Sequence, residues 1–209
     1  MFGNHIIEVK RLSNIQRFHN KFRIKGSSVA EHSFYVAKIA HGLAMWEMMK
    51  FKNAINVETV LFLEINHDVV ECYTGDILSP MKTEGLRKEL SRIEELIMEE
   101  MYEKTLPQGW RPYFKARFSE MEELSTIEAR IVKAADVIDR CTECLEEVNL
   151  GNSKIFLPIF QEDIDLLLSY NIDSVNFFLK YAMKDLGGHE YMTDTQLSEI
   201  LSKDYKEYF

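Results

Sequence analysis

The sequence is poor in the residues that interrupt helices, with 4 prolines and 9 glycines in 209 residues. It also lacks runs in which β-branched and polar residues alternate, the pattern that is typical of half-buried strands. Helix-capping residues and apolar residues at helical spacing recur along the chain instead. We therefore predict an all-α fold.

Cysteine, basic charge and long apolar runs are also scarce. The 3 cysteines are an odd number, which favours a reducing cytoplasm over a disulfide framework. Cys141 and Cys144 form a CxxC pair inside a predicted helix, so we predict a structural role for them. Net charge is -9, which disfavours binding to a nucleic-acid polymer. No stretch has the length of a membrane span, so we predict no membrane partner.

The length of 209 residues fits a single domain, since neither a linker nor an internal repeat divides the chain. We predict one helical domain over residues 1–209. The motifs described below lie within residues 15–140. Helices within residues 158–209 are predicted to complete the bundle or to form an interface.

Two histidines and two aspartates in helix-forming sequence, His32, His67, Asp68 and Asp136, form a candidate metal-binding set. Imidazole and carboxylate ligands together suit a divalent ion of intermediate hardness. Four protein ligands leave positions open for water and substrate around an octahedral ion, the condition for metal-assisted hydrolysis. The set therefore predicts a single metal centre.

Local signals place these residues in helices. Ser28 to Glu31 reads as a capping box, which puts His32 one turn into a helix that extends to about residue 51. Asp136 lies in a helix predicted to begin near a second capping box, Ser125 to Glu128, and to end at Gly151. A third helix begins after residue 56 and leads to the His-Asp pair.

Glu71 follows His67 by four residues and Asp68 by three, so on a continuous helix all three side chains share one face. A carboxylate beside the metal site is a candidate general acid or base.

Two irregular segments offer further site residues. Arg17 and Phe18 precede the first capping box, and arginine binds phosphate with a planar fork. The loop from Cys72 to Pro80 contains Thr74-Gly75-Asp76, a turn sequence with a hydroxyl and a carboxylate. Since this loop directly follows the metal ligands, a substrate held at the metal would extend toward it.

These stretches resemble the HD-domain phosphohydrolases and, within them, the bacterial 5'-deoxynucleotidases. The matching segments, in the order and approximate spacing of that family, are Ile15–Phe18, Val29–Ser33, His67–Glu71, Thr74–Asp76 and Lys133–Asp136. The resemblance implies an HD-domain helical bundle that removes the 5'-phosphate from ribo- or deoxyribonucleoside monophosphates. It also implies a homodimer and one divalent ion, with Mn, Co, Fe, Zn, Ni and Mg all open.

The resemblance also implies roles for individual residues. The metal ligands are His32, His67, Asp68 and Asp136. Arg17 orients the phosphate, and Glu71 handles the proton of the attacking water or the leaving oxygen. The residues expected to contact substrate are Arg17, Phe18, His32, Asp68, Asp76, Ile77, Leu78, Ser79 and Asp136.

The sequence departs from the family pattern at two places, and two alternative functions remain open. The family commonly has Trp where this chain has Phe18, which leaves its preference for deoxyribose over ribose open. Leu78 and Ser79 stand where Pro and Thr are expected. A guanosine tetraphosphate hydrolase is one alternative, but it would typically have an acid in place of Cys72. A non-catalytic helical nucleotide-binding protein is the other.

Overall fold

The structure is a computed structural model that describes residues 2–77 and 84–205. Within these ranges the only pairing of extended backbone is an isolated antiparallel bridge between Gln16 and Ser28. The predicted all-α fold is confirmed. The α-helices are α1 (Phe2–Val9), α2 (Val29–Met49), α3 (Val57–Asn66), α4 (Glu71–Thr74), α5 (Glu84–Thr105), α6 (Arg111–Glu123), α7 (Ile127–Asn149), α8 (Ser153–Ser169), α9 (Asp173–Phe177), α10 (Met183–Asp185) and α11 (Asp194–Ser202).

Helix α7 is the central element of the bundle, because α2, α3 and α8 all pack against it. Ala134 and Ala135 on α7 are fully buried, and such small side chains let neighbouring helices approach closely. The main core extends from Phe18 to Ile200 and includes residues of α8 and α11. A smaller core under α5 contains Val69, Val70 and Tyr102. The extent of the domain, residues 1–209, stays a prediction.

Helices α2 and α7 both begin near the predicted residues, but only α2 has the predicted capping box. Ser28 and Glu31 form a complete capping box at the start of α2. The cap of α7 is Thr126, whose hydroxyl accepts a hydrogen bond from Ala129 N–H. The second predicted capping box is therefore wrong. The Glu128 carboxylate accepts a hydrogen bond from the backbone of Asn56 instead, and so ties the start of α3 to α7.

The prediction of a continuous helix through His67 and Asp68 is also wrong. Helix α3 ends at Asn66, His67 is its C-cap, and residues 67–70 form turns before α4 begins at Glu71. His67 and Val70 nevertheless keep right-handed helical dihedral angles. The chain is thus deflected without being reversed, and the side chains that follow His67 still face the same region.

Several other elements also differ from the sequence-based expectations. Helix α8 begins at Ser153 and carries Pro158 inside it, because Phe156 and Phe160 are buried in the core on either side of the proline. Helices α1 and α6 lack strong sequence signals and were not predicted. A π-helical turn, Phe178–Ala182, joins α9 to α10. Within the described residues, no helix is both long enough and apolar enough to cross a membrane.

Candidate metal centre and substrate cleft

His32 lies in the first turn of α2, pressed against α7, with 1% of its surface exposed. Its Nδ1 atom is 2.6 Å from Oδ2 of Asp139. Because a carboxylate accepts hydrogen bonds, this contact places a proton on Nδ1 and leaves Nε2 for another partner. Nε2 is buried and makes no hydrogen bond to any described residue.

His67 is held in the same manner by a different acceptor. Its Nδ1 atom donates to the backbone carbonyl of Glu64 at 2.6 Å. Its Nε2 atom is likewise buried and without a hydrogen bond in the described part of the chain. The ring centroids of His32 and His67 are 5.7 Å apart. Acceptors outside the site therefore fix both rings.

The carboxylates of Asp68 and Asp136 approach these Nε2 atoms. Oδ2 of Asp68 is 3.1 Å from His67 Nε2 and 3.5 Å from His32 Nε2. Oδ1 of Asp136 is 3.3 Å from His32 Nε2, while its Oδ2 accepts a hydrogen bond from Lys133 at 2.6 Å. His32, His67 and Asp68 each offer a ligand atom, and these atoms all lie within 4.8 Å of one another.

This donor set fits a divalent cation. Ligand atoms about 2.1 Å from a shared ion, at right angles, are about 3 Å apart, close to the spacings found here. Burial by itself would lower the pKa of His67, but the negative charges of Asp68 and Asp136 raise it to about 9. Burial would raise the pKa of Asp68, yet His67 and His32 lower it. The site therefore has a strong negative field, which favours a bound cation.

Glu71 is the first residue of α4 and is partly buried. Although the helix is broken before it, Glu71 lines the same cleft as His67 and Asp68. The predicted neighbourhood of these three residues is thus observed, with turns in place of a continuous helix.

Arg17 and Phe18 follow the bridge that closes the loop of residues 17–27. Arg17 donates from Nε to Oε2 of Glu143 at 2.8 Å. Phe18 has a φ of 51°, a left-handed conformation that is strained for a residue with a side chain. Its ring packs edge-on against Phe156, with centroids 5.4 Å apart. Such strain persists only where the surroundings hold it, and here both sides of the residue are anchored.

Asp76 links the second irregular segment to the first. Gly75 has a φ of 71°, which turns the chain after α4 and aims the next residue back toward the loop of residues 17–27. The Asp76 carboxylate accepts a hydrogen bond from the backbone N–H of Phe18 at 3.2 Å. Ile77 lines the same cleft as Asp76 and Phe18. Leu78 and Ser79 lie outside the described residues.

Two clefts meet at the candidate metal centre. We call the first the Arg17 cleft, because Arg17, Phe18, Asp76 and Ile77 form one of its walls. We call the second the α5 cleft, because residues 87–94 of α5 line it. Four residues border both clefts and so mark the junction between them: Asp68, Glu71, Lys133 and Asp136.

A set of carboxylates on α7 was not predicted from the sequence. Asp139, Glu143 and Glu147 follow Asp136 at steps of three, four and four residues, the spacing of one helix face. Asp139 holds His32, and Glu143 holds Arg17. Glu147 accepts hydrogen bonds from the backbone N–H groups of residues 24 and 25. This periodicity was visible in the sequence and could have revealed them.

Two other groups of side chains do not form sites of their own. His32, Asp139 and Glu143 come close enough to hold a cation. Their facing atoms already bond to one another or to Arg17, so the group supports the main site. Cys141 and Cys144 are buried thiols without a disulfide, and burial raises the pKa of both. Raised values make them poor nucleophiles, in line with the predicted structural role.

Known proteins of similar sequence are 5'-deoxynucleotidases. The sequence profile of the YfbR-like 5'-deoxynucleotidases matches residues 4–186. A 5'-deoxynucleotidase of Vibrio vulnificus strain YJ016 is 35% identical over 158 residues, which cover 75% of this chain and 80% of that protein. The 5'-deoxynucleotidase of Vibrio cholerae is 30% identical over 177 residues, or 82% of this chain and 89% of its own.

Solved structures agree with the fold. An HD-domain phosphohydrolase from Listeria innocua has a TM-score of 0.82 and 30% identity, covering 97% of this chain and 99% of its own. The cyanophage S-2L HD phosphohydrolase, bound to dA and one catalytic Zn²⁺ ion, has a TM-score of 0.62. At 18% identity, over 86% of this chain and 96% of its own, it is a likeness of fold.

The helical bundle and the His, His-Asp and Asp residues that meet in it define an HD-domain phosphohydrolase. Within that class, the chain belongs to the YfbR-like 5'-deoxynucleotidase family. The predicted activity, metal-dependent hydrolysis of a nucleotide 5'-phosphate, is thereby confirmed. The guanosine tetraphosphate alternative is not supported, and Cys72 stands where such an enzyme would typically have an acid.

Proposed function

We propose that the protein hydrolyses deoxyribonucleoside 5'-monophosphates to a nucleoside and inorganic phosphate at the junction of the Arg17 and α5 clefts. One observation carries the proposal. Two histidine Nε2 atoms and two aspartate carboxylates lie close together. Both aspartates line the Arg17 cleft, as do Arg17 and Glu71. Hydrolysis of a phosphate ester needs positive charge near the phosphate and a proton acceptor beside the water; Arg17 and a bound cation would supply the first, and Glu71 the second.

The proposed metal ligands are His32, His67, Asp68 and Asp136. Asp139 and the Glu64 carbonyl hold the histidines, and Lys133 holds the outer oxygen of Asp136, so that three of the four ligands have a partner outside the ligand set. A divalent ion bound there would supply Lewis-acid chemistry, drawing charge from a phosphate oxygen and lowering the pKa of water. Zn²⁺ is an informative first ion to test, since the cyanophage neighbour of similar fold holds one.

The chain's own residues would carry out the remaining tasks. Arg17 would bind the phosphate oxygens through its Nη groups, because its Nε is already bonded to Glu143. Glu71 would accept the proton of the attacking water and deliver a proton to the leaving 5'-oxygen. Both residues line the cleft that also contains Asp68 and Asp136, so phosphate and carboxylates would share one chamber.

The sugar would lie against Phe18, Asp76 and Ile77. All three residues line the Arg17 cleft together with Arg17 itself. Phe18 is only 6% exposed, so it would present part of its ring to a ribose or deoxyribose and keep the rest in the core. Leu78 and Ser79 remain proposed substrate contacts on the basis of the resemblance.

Phosphate release tests the proposal. The protein is stripped with a chelator, reloaded separately with Zn²⁺, Mn²⁺, Co²⁺, Fe²⁺, Ni²⁺ and Mg²⁺, and supplied with matched ribo- and deoxyribonucleoside 5'-monophosphates. We expect ion-dependent release, with 3'-monophosphates as a control that should not react. Absence of release from every 5'-monophosphate by protein shown to hold its ion would contradict the proposal. It would favour a non-catalytic nucleotide-binding protein.

Two wider expectations accompany this proposal. We propose a homodimer, which light scattering coupled to size-exclusion chromatography tests directly. A cytoplasmic location, inferred from the cysteine content, also stays a prediction, and cell fractionation tests it. Neither expectation affects the chemistry proposed for the metal centre.

A further inference from the structure

Glu143, on α7, is 7% exposed, and its carboxylate accepts hydrogen bonds from residues of the loop before α2. Its Oε2 atom accepts from Arg17 Nε at 2.8 Å, and its Oε1 atom accepts from Arg23 Nη1 at 3.2 Å. The hydroxyl of Ser27 donates to the same Oε1 atom. Three donors from three loop positions thus surround one buried carboxylate and fix where it lies.

The bond to Arg17 determines the orientation of a planar group. A guanidinium has five N–H donors in one plane, and here Nε is used by Glu143. Once Nε is held, rotation about the end of the side chain is fixed, and the Nη groups are left for the Arg17 cleft. Arg17 itself is 9% exposed, so its side chain is largely enclosed by the protein.

We propose that Glu143 is the positioning residue for Arg17 and holds its guanidinium in the orientation that binds the substrate phosphate. This inference rests on the proposed function, because it requires Arg17 to meet a phosphate. Displacement of a substrate-orienting group by about 1 Å can cost on the order of 100-fold in rate. Loss of the Glu143 charge should therefore affect phosphate recognition more than it affects folding.

Glu147 offers a matched control one helical turn further along the same face of α7. Its carboxylate is fully buried, lies 3.7 Å from Arg23 Nε, and binds the backbone N–H groups of Ile24 and Lys25. No contact joins it to Arg17 among the described residues. Glu143 and Glu147 thus support the same loop, but only Glu143 holds the arginine assigned to phosphate.

The test compares Glu143→Gln with Glu147→Gln in the metal-loaded protein. We expect Glu143→Gln to raise the Ki of inorganic phosphate and to lower kcat/KM by about 10- to 100-fold. Metal content and the affinity for the deoxynucleoside product should stay unchanged. Glu147→Gln should lower the melting temperature similarly, with less than about threefold change in kcat/KM. Equal effects of the two variants on kcat/KM and on the phosphate Ki would overturn the inference.

A double-mutant cycle ties the effect to the arginine. In an Arg17→Ala background, Glu143→Gln should have no further effect on kcat/KM, since the group that it positions is gone. A full additional loss in that background would show that Glu143 acts elsewhere and would overturn the inference.

The outcomes also separate this inference from the proposed function. If the unmodified protein releases no phosphate, the proposed function fails and the inference fails with it. If it is active and the two variants match, only the inference fails. Should Glu143→Gln not fold, Ser27→Ala removes one donor from the same carboxylate. An unchanged phosphate Ki in that variant would then overturn the inference.

Discussion

The two halves of the candidate site are built in different ways. His32 and Asp136 project from α2 and α7, which pack against each other in the main core. His32 and His67 are each fixed at Nδ1 by a bond of 2.6 Å. The sugar wall of Phe18, Asp76 and Ile77 instead comes from two irregular segments. Among the described residues, a hydrogen bond of 3.2 Å from Phe18 N–H to Asp76 joins them.

The difference assigns separate tasks to the two halves. Ligands on close-packed core helices cannot shift without disturbing the core, which suits a metal centre that needs fixed spacing. A wall on irregular segments can vary without moving the metal ligands, which suits selectivity, although Phe18 itself also packs in the main core. We therefore expect substitutions in the metal half to remove activity, and substitutions in the sugar wall to redistribute it among substrates.

The largest effect is expected for His67→Ala. Removal of one of two histidine ligands should abolish both bound metal and turnover, because the remaining donors include only one nitrogen. Metal analysis by mass spectrometry and phosphate release measure the two losses. The control is His41→Ala, an exposed histidine on α2 that should keep both. Full metal occupancy in the His67 variant would remove the residue from the ligand set.

Glu71→Gln should separate metal binding from proton transfer. The variant should retain its metal but lose about two to four decades in kcat, the usual contribution of a general acid or base. Glu122→Gln, an exposed carboxylate at the edge of the α5 cleft, should stay near the parent rate. If Glu71→Gln turns over almost normally with its metal bound, the proton is handled by another group.

Substitutions at Phe18 should change the preference between deoxyribose and ribose without stopping hydrolysis. A steric wall discriminates one small group by roughly 1–3 kcal/mol, so Phe18→Trp should shift the deoxyribo-to-ribo ratio of kcat/KM toward deoxyribose by about one to two decades. Phe18→Leu should shift it the opposite way. Thermal unfolding checks that the larger indole is accommodated against Phe156. An unchanged ratio across Leu, Phe and Trp would show that this residue does not line the sugar site.

The smallest effect is expected for Asp76→Asn. The amide keeps an oxygen that can accept the bond from Phe18 N–H, so the wall should hold its position. Loss of charge at the acceptor weakens such a bond by about 1 kcal/mol, roughly a fivefold change in KM. Steady-state kinetics with a deoxynucleotide measure it, and Asp76→Ala serves as the more disruptive comparison. A loss beyond 100-fold would mean that the Asp76 charge itself takes part in binding or catalysis.

The fold was largely predictable because helix signals are local. The Ser28 capping box and the start of α3 after Asn56 were predicted and are observed. Helix α7 begins at Ile127, near its predicted start, but the predicted capping box is absent, since Glu128 forms a tertiary bond to Asn56 instead. The sequence predicts helices here only from residue 158 onward, but burial of the phenylalanines on either side of Pro158 extends α8 back to Ser153. Local rules fail at these positions because tertiary contacts provide a better partner.

The sequence by itself determined the helical class, because helix signals are local, and residue chemistry with the family resemblance pointed to the four proposed ligands, His32, His67, Asp68 and Asp136. Only the tertiary structure decided how those ligands are held. The contact of His32 with Asp139 spans 107 positions, and that of Arg17 with Glu143 spans 126. No local pattern encodes such partners. They meet because α7 packs against α2 and against the loop before it, which brings a row of carboxylates to the site.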